Sequence, residues 1–293
     1  MKTRPWLIVP AVGALLVAAC QFAHTQTSQK PQVIAVPQNE ATGAAGRSAQ
    51  PAQGDSTPVM QAPAPAPATG TKRSSYNSCN VEGPYIALTF DDGPHATLTP
   101  KLLDILKEKG VKATFFVLGE CVAANPAVLQ RAAAEGHEIG NHSWDHKALT
   151  KGGGSGVDSE INQTNAAIES ATGKKPAVVR PPYGATNAAV TKRLNEEFGL
   201  KVIMWDVDPL DWKVRNAAHV KAEILKSTKA GSIILSHDIH PTTVEAMAET
   251  IDALKEKGYQ FVTVSELVAM DRPLPPSTPP PAPAPAAKKK AKK

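Results

Sequence analysis

Two adjacent carboxylates, Asp91 and Asp92, stand where the apolar run "YIALTF" (85–90) ends and Gly93-Pro94 opens a turn. Like charges side by side at the end of a buried segment repel, so the pair needs a cation or a division of labour. Two histidines four residues apart, His142 and His146, lie in "HSWDH" after a third apolar run, and His237 closes "LSH" after a sixth. Two imidazoles and one carboxylate make a three-donor set for a divalent ion and leave positions open for water and substrate. In such a set Asp92 binds the cation while Asp91 stays free as a base beside it, and the positive charge keeps both ionised. Each residue alone has a structural reading: Asp and Gly open turns, and a histidine pair at this spacing is commonly solvated. Arg180 before a double proline can be a surface residue, and His237 a hydrogen-bonded core histidine. The case for chemistry is their joint occurrence.

These residues need a frame that gathers them. Between about Cys79 and Asp271, short apolar runs alternate with amphipathic helical patterns. Strands are expected at 85–90, 113–118, 137–142, 177–180, 201–206, 232–237 and 260–264. Helical segments such as "TPKLLDILKEKG" and "VEAMAETIDALKEKG" lie between them, and several end in Gly, a common helix stop. Such alternation implies an α/β fold with a parallel sheet, closed as a barrel or open and doubly wound. In both cases active groups collect at the carboxyl ends of the strands. Polar groups stand at five of the seven ends here: Asp91-Asp92, His142-His146, Arg180-Tyr183, Asp208-Asp211-Trp212 and His237. Hydrophobic patterning alone does not require that.

The flanks have a different composition. Residues 1–20, "MKTRPWLIVPAVGALLVAAC", pair a basic start with a short apolar run and small residues before Cys20, the pattern of an export signal. "VAAC" resembles the lipobox of bacterial lipoproteins, in which Cys20 becomes the acylated first residue. Residues 21–76 are Gln, Thr, Ser, Ala and Pro with almost no large apolar side chain, and read as a disordered tether. Residues 272–293 read as a disordered Pro-Ala spacer with a lysine tip, leaving 77–271 as one folded domain. With Cys20 spent on lipid, Cys79 and Cys121 form an even pair in an oxidising setting, and a disulfide between them is expected. The net charge is +5, but five positive charges lie in the terminal "KKKAKK" and two are Lys2 and Arg4, which leaves the remainder at −2. That excludes a basic nucleic-acid-binding body.

Five motifs occur in order: "TFDDGP" (89–94), "HSWDH" (142–146), "RPPY" (180–183), "DPLDW" (208–212) and "LSH" (235–237). With them, the chain from about 82 to 270 resembles the NodB-homology polysaccharide deacetylases, carbohydrate esterase family 4. The resemblance implies a distorted (β/α)7 barrel and metal-dependent removal of N-acetyl groups, in some members O-acetyl groups, from polysaccharide. It implies Asp92, His142 and His146 as ligands of one divalent ion, zinc first, with cobalt or nickel as alternatives. Asp91 is then the general base, held by Arg180, and His237 the general acid, tuned by Asp211. The backbone N–H of Tyr183 faces the oxyanion, and Trp212 and Leu235 wall the pocket for the acetyl methyl. Asp208-Pro209 replaces the Asp-Ser more usual in the fourth motif and leaves Asp211 and Trp212 in place.

For an exported, tethered enzyme of this class the expected substrate is peptidoglycan, with chitin, poly-N-acetylglucosamine or acetylated xylan as alternatives. The expected location is the periplasm or cell surface, with membrane attachment through lipid on Cys20. Three competing classes are a non-sugar amidohydrolase on the same fold, an inactive glycan-binding module and a two-His-one-carboxylate iron oxygenase. Intact "RPPY", "DPLDW" and "LSH" weigh against the first. Asp91 and His237 weigh against the second, and the β/α alternation weighs against the third.

Overall fold

The computed structural model of the chain describes residues 73–272. Residues 1–72, which hold the expected export signal with Cys20 and the expected linker, and residues 273–293 lie outside the described residues. Eight strands are present among them: β1 (Ser75–Tyr76), β2 (Tyr85–Asp91), β3 (Thr114–Val117), β4 (Glu138–Asn141), β5 (Val178–Val179), β6 (Lys201–Ile203), β7 (Ile233–Ile234) and β8 (Gln260–Phe261). The helices between them are α1 (Leu98–Glu108), α2 (Gly119–Ala124), α3 (Pro126–Ala134), α4 (Gly153–Thr172), α5 (Ala188–Glu196), α6 (Asp211–Val214), α7 (Ala217–Ser227), α8 (Pro241–Glu256) and α9 (Val264–Ala269).

The strands run in the order β1-β6-β5-β4-β3-β2-β7, every ladder parallel, with β8 pairing β2 at Tyr85–Ile86. The ring closes just past β6, where Val207 bridges Ile234 of β7 and its carbonyl accepts from the Leu235 N–H at 2.9 Å. This is the α/β, distorted barrel expected for β2 to β8. β2 runs one residue past its expected end, and β3 to β8 are shorter than the apolar runs that signal them; after β4, for example, the chain turns left-handed at Ser143 (φ +70°).

Strand alternation divides the core into two layers. Ile86, Leu88 and Phe90 face outward and pack with Leu102, Leu106, Met247 and Ile251 of α1 and α8. Ala87 faces inward, with Phe116, Val178, Ile203 and Ile233 from the neighbouring strands. Continuing this period, Thr89, Asp91 and Arg180 also face inward, one turn of the pleat above the apolar plug. Gly140 belongs to the inner set, where a Cβ would come within 2.6 Å of the Phe116 ring. Val264 and Leu267 of α9 extend the inner cluster, while the Val264 N–H and Ser265 bond to Thr114 and Glu138 at the starts of β3 and β4. The amino-terminal end of the barrel is thereby capped, and the carboxyl ends of the strands are left for the site.

Two sequence expectations need correction. Ser75–Tyr76, assigned to the linker, pairs with Val202–Ile203, buries Tyr76 and follows Arg73, which bonds Asp271 at 3.0 Å. The fold therefore begins before residue 77. The Cys79–Cys121 disulfide is not formed. The Cys79 N–H bonds the Gly231 carbonyl ahead of β7, at the amino-terminal end of the barrel, whereas Cys121 sits in α2 beyond the carboxyl end of β3. A disulfide needs Cα atoms within about 7 Å, and the length of the barrel separates these two ends. Burial instead pushes the Cys79 thiol up to about 12.

Candidate active site

Asp91 and Asp92 end β2, His142 follows β4, Arg180 follows β5, and His237 follows β7. Parallel strands bring all of these ends to one mouth, and a bridge between Asp91 and His237 sets two of them side by side. The Asp91 N–H also bonds the Ser236 carbonyl at 2.9 Å. His146 is drawn in by a tight loop in which Ser143 and His146 are both left-handed (φ +70° and +64°). Asp92, Tyr183, Leu210 and Arg215 are the remaining non-glycine residues with positive φ among those described. Each sits in a loop beyond a strand's carboxyl end, and backbone held in such conformations concentrates at functional sites.

Asp92, His142 and His146 each offer one donor atom, all within 4.8 Å of one another. The Nε2 atoms of His142 and His146 lie 3.5 and 3.4 Å from Asp92 Oδ1. That oxygen is buried and has no hydrogen-bond partner. His142 Nδ1–H donates to the Arg180 carbonyl at 2.6 Å, which fixes the tautomer and turns Nε2 toward Asp92. An orphaned carboxylate oxygen facing two imidazole nitrogens fits a divalent cation. Burial opposes ionisation of Asp92, but the neighbouring imidazole of His142, with those of His237 and His146, holds its carboxyl well below the usual range. For His146, burial outweighs the attraction of Asp92 and lowers its pKa.

Asp91 Oδ1 accepts from Arg180 Nη1 at 2.7 Å. The same nitrogen donates to Thr89 Oγ1 at 2.8 Å, and Nη2 donates to the Met204 carbonyl at 3.0 Å. Arg180 is fully buried, with its guanidinium 4.2 Å from the Phe116 ring centroid. Asp91 Oδ2 lies 3.7 Å from His142 Nε2, so the free face of this carboxylate points at the three donors.

A second buried pair stands across the mouth. Asp211 Oδ1 bonds His237 Nδ1 at 2.9 Å, and Oδ2 accepts from the His237 N–H at 2.8 Å and from Thr243 Oγ1 at 2.7 Å. Burial lowers the His237 pKa, but the Asp211 bond and charge overcome it and raise the imidazole to about 9. Burial likewise raises Asp211, and His237 and Thr243 reverse that to a net lowering. Trp212 is half exposed on α6, and Leu235 is buried just past β7. The Tyr183 ring is largely exposed and meets the His146 ring edge-on with centroids 4.4 Å apart.

The structure thus gathers Asp91, Asp92, His142, His146, Arg180, Tyr183, Asp211 and His237 at one mouth. Four contributors were not singled out from the sequence. Thr89 and the Met204 carbonyl hold Arg180, Thr243 holds Asp211, and Asp238 is buried behind Gly93 with Thr99 Oγ1 on its carboxylate. Thr89 precedes the Asp pair by two, as inward alternation requires, and that period could have identified it. A carbonyl and a helical threonine carry no such signal.

The sequence model of polysaccharide deacetylases matches residues 79–203. The peptidoglycan-N-acetylglucosamine deacetylase PgdA of Listeria monocytogenes is 50% identical over 182 residues, which is 62% of this chain and 38% of that protein. The peptidoglycan-N-acetylmuramic acid deacetylase PdaC of Bacillus subtilis is 44% identical over 182 residues, again 62% of this chain and 38% of that protein. The chain therefore matches well under half the length of these two relatives. Among solved structures, T48 deacetylase with substrate superposes with a TM-score of 0.61 at 45% identity, covering 64% of this chain and 92% of that one. With its fold, its five motifs and these similarities, the chain belongs to the polysaccharide deacetylase family.

Proposed function

We propose that residues 73–272 form a metal-dependent deacetylase that hydrolyses N-acetyl groups of N-acetylglucosamine-containing polysaccharide, with peptidoglycan as substrate. The observation that carries this is the unpartnered Asp92 Oδ1 among two imidazoles, with an Arg-held carboxylate on one side and an Asp-held imidazole on the other. Amide hydrolysis needs those three things together: an activated water, a base to take its proton, and an acid for the departing nitrogen.

Asp92, His142 and His146 would hold the ion, and we assign zinc because two nitrogens and one oxygen suit it. When bound, it supplies Lewis acidity and lowers the pKa of water toward about 7. Asp91 takes the proton from the attacking water. Arg180, itself fixed by Thr89 and Met204, keeps one oxygen of Asp91 occupied and leaves the other facing the donors. The Tyr183 N–H, presented by a left-handed residue (φ +60°), donates to the developing oxyanion. His237, protonated on Nε2, delivers the proton to the leaving amine, and Asp211 on Nδ1 holds the ring in place. Leu235 and Trp212 form the walls for the acetyl methyl. The peptidoglycan assignment is supported by the names of the relatives and by the "VAAC" segment, which suits an envelope lipoprotein acylated at Cys20.

Acetate release from peptidoglycan, chitin oligomers and acetylated xylan, measured before and after chelation and zinc addition, tests this reading. Release from peptidoglycan that stops with chelator and returns with zinc is expected. Release from none of them by metal-loaded protein would refute it. The His237 assignment has its own signature. Its acid form persists to about 9, so the alkaline limb of kcat/KM lies well above neutrality in the parent protein. Asp211→Asn removes the negative charge that raises it and leaves only a neutral acceptor, so the limb should move at least about one unit toward the ordinary histidine value of about 6.5. An unmoved limb would place the acid elsewhere.

A further inference from the structure

Beyond the acid side of the mouth, the chain leaves α6 at Arg215, a left-handed residue (φ +52°), and enters α7 through Asn216. The Arg215 side chain is exposed and takes part in no ion pair among the described residues. His240, whose ring centroid lies 5.8 Å from that of His237, is pushed down to about 4 first by burial and then by the Arg215 charge.

Arg215 also opens a groove of about 710 Å³ between α7 and α8, with Ala218, Ala222 and Leu225 on one wall and Ala246 on the other. Helical spacing orders its polar groups. Arg215 and Thr242 stand at the end nearest the mouth, and Thr242 Oγ1 is buried without a partner. Glu245 follows about one turn along α8. Lys221 and Glu249 come next and neutralise each other across the groove at 2.7 Å. The unpaired charges are thus a cation beside the catalytic mouth and then a carboxylate, over small apolar walls. A sugar polymer without substituents offers nothing to this pattern. The peptide carried by alternate sugars of peptidoglycan does, because it bears a carboxylate close to the sugar and, in many of its forms, an amine further out.

We propose that the α7–α8 groove receives this peptide substituent while its glycan strand lies across the mouth, with the carboxylate paired to Arg215 and the amine directed toward Glu245. The assignment rests on the deacetylase reading and makes Arg215 a specificity residue remote from the reacting atoms. The two readings separate by using the full chain on two substrates and one non-reacting ligand.

Arg215→Gln should lower kcat/KM about tenfold on peptide-bearing glycan strands, mainly through KM, and leave chitin pentamer unchanged. Arg215→Lys should restore part of the loss, since it keeps the charge. Calorimetry with a peptide-bearing disaccharide stripped of its acetyl groups reads the contact without turnover, and Arg215→Gln should weaken it about tenfold. Equal losses on both polymers, or unchanged affinity for the stripped ligand, would overturn the groove assignment even if acetate release is robust. Weakened affinity in a chain that releases no acetate would uphold the groove and refute the enzyme.

Discussion

Asp91→Asn is expected to lower kcat for acetate release by about 10²- to 10⁴-fold while metal content stays at the parent level, the span ascribed to a general base. Asparagine has the shape of aspartate and keeps an acceptor for Arg180 Nη1, so the 2.7 Å contact can persist. What is lost is the second oxygen's ability to take a proton. The proposed metal donors Asp92, His142 and His146 are untouched, so activity and metal should separate in this variant. The same change leaves the fully buried Arg180 without its counter-charge, and removing one partner of a buried pair costs about 3 to 5 kcal/mol. Turnover, metal analysis and urea unfolding together check the three parts. Near-parental turnover would give the base role to another group.

His142→Ala is expected to do the opposite and remove metal and turnover together, with activity falling by about 10³-fold or more, since activation of water depends on the ion. His142 is held from both sides, by the Arg180 carbonyl at Nδ1 and the carboxylates at Nε2, and burial lowers its pKa less than Asp91 and Asp92 raise it. Alanine there leaves Asp92 and His146 as a two-donor remnant. The apolar layers of the barrel do not include His142, so the far-ultraviolet circular dichroism should be unchanged. Tight metal retained by the variant would refute the ligand assignment. Read together, the two variants distinguish a residue that holds the ion from one that works beside it.

Much of this site is legible in one dimension because its parts are short and local. Asp91 and Asp92 are neighbours, His142 and His146 share one loop, and each sits at the end of an apolar run whose period of two marks an inner face. Arg180 continues that period from Val178. Asp211 and His237, 26 residues apart, are harder: the family resemblance pairs them, but the residue types and spacing alone do not say which carboxylate will meet the imidazole. Their pairing depends on the segment just past β6 meeting β7, through the Val207–Ile234 bridge and hydrogen bonds of Asp206, a closure that leaves almost no pattern in the sequence.

What the sequence determined by itself was the chemistry and its frame: the donor types, their order, the parallel α/β alternation and the place of active groups at the strands' carboxyl ends. These follow from residue type and local periodicity. Tertiary structure alone decided the long-range matters. It recruited Ser75–Tyr76 into the sheet, kept Cys79 and Cys121 at opposite ends of the barrel, and set Thr89 and Met204 behind Arg180 and Thr243 behind Asp211. It also opened a charged groove beside Arg215. Each depends on which distant segments share an edge or a face, and that is fixed by ring closure and by packing of the whole core rather than by any local run of residues.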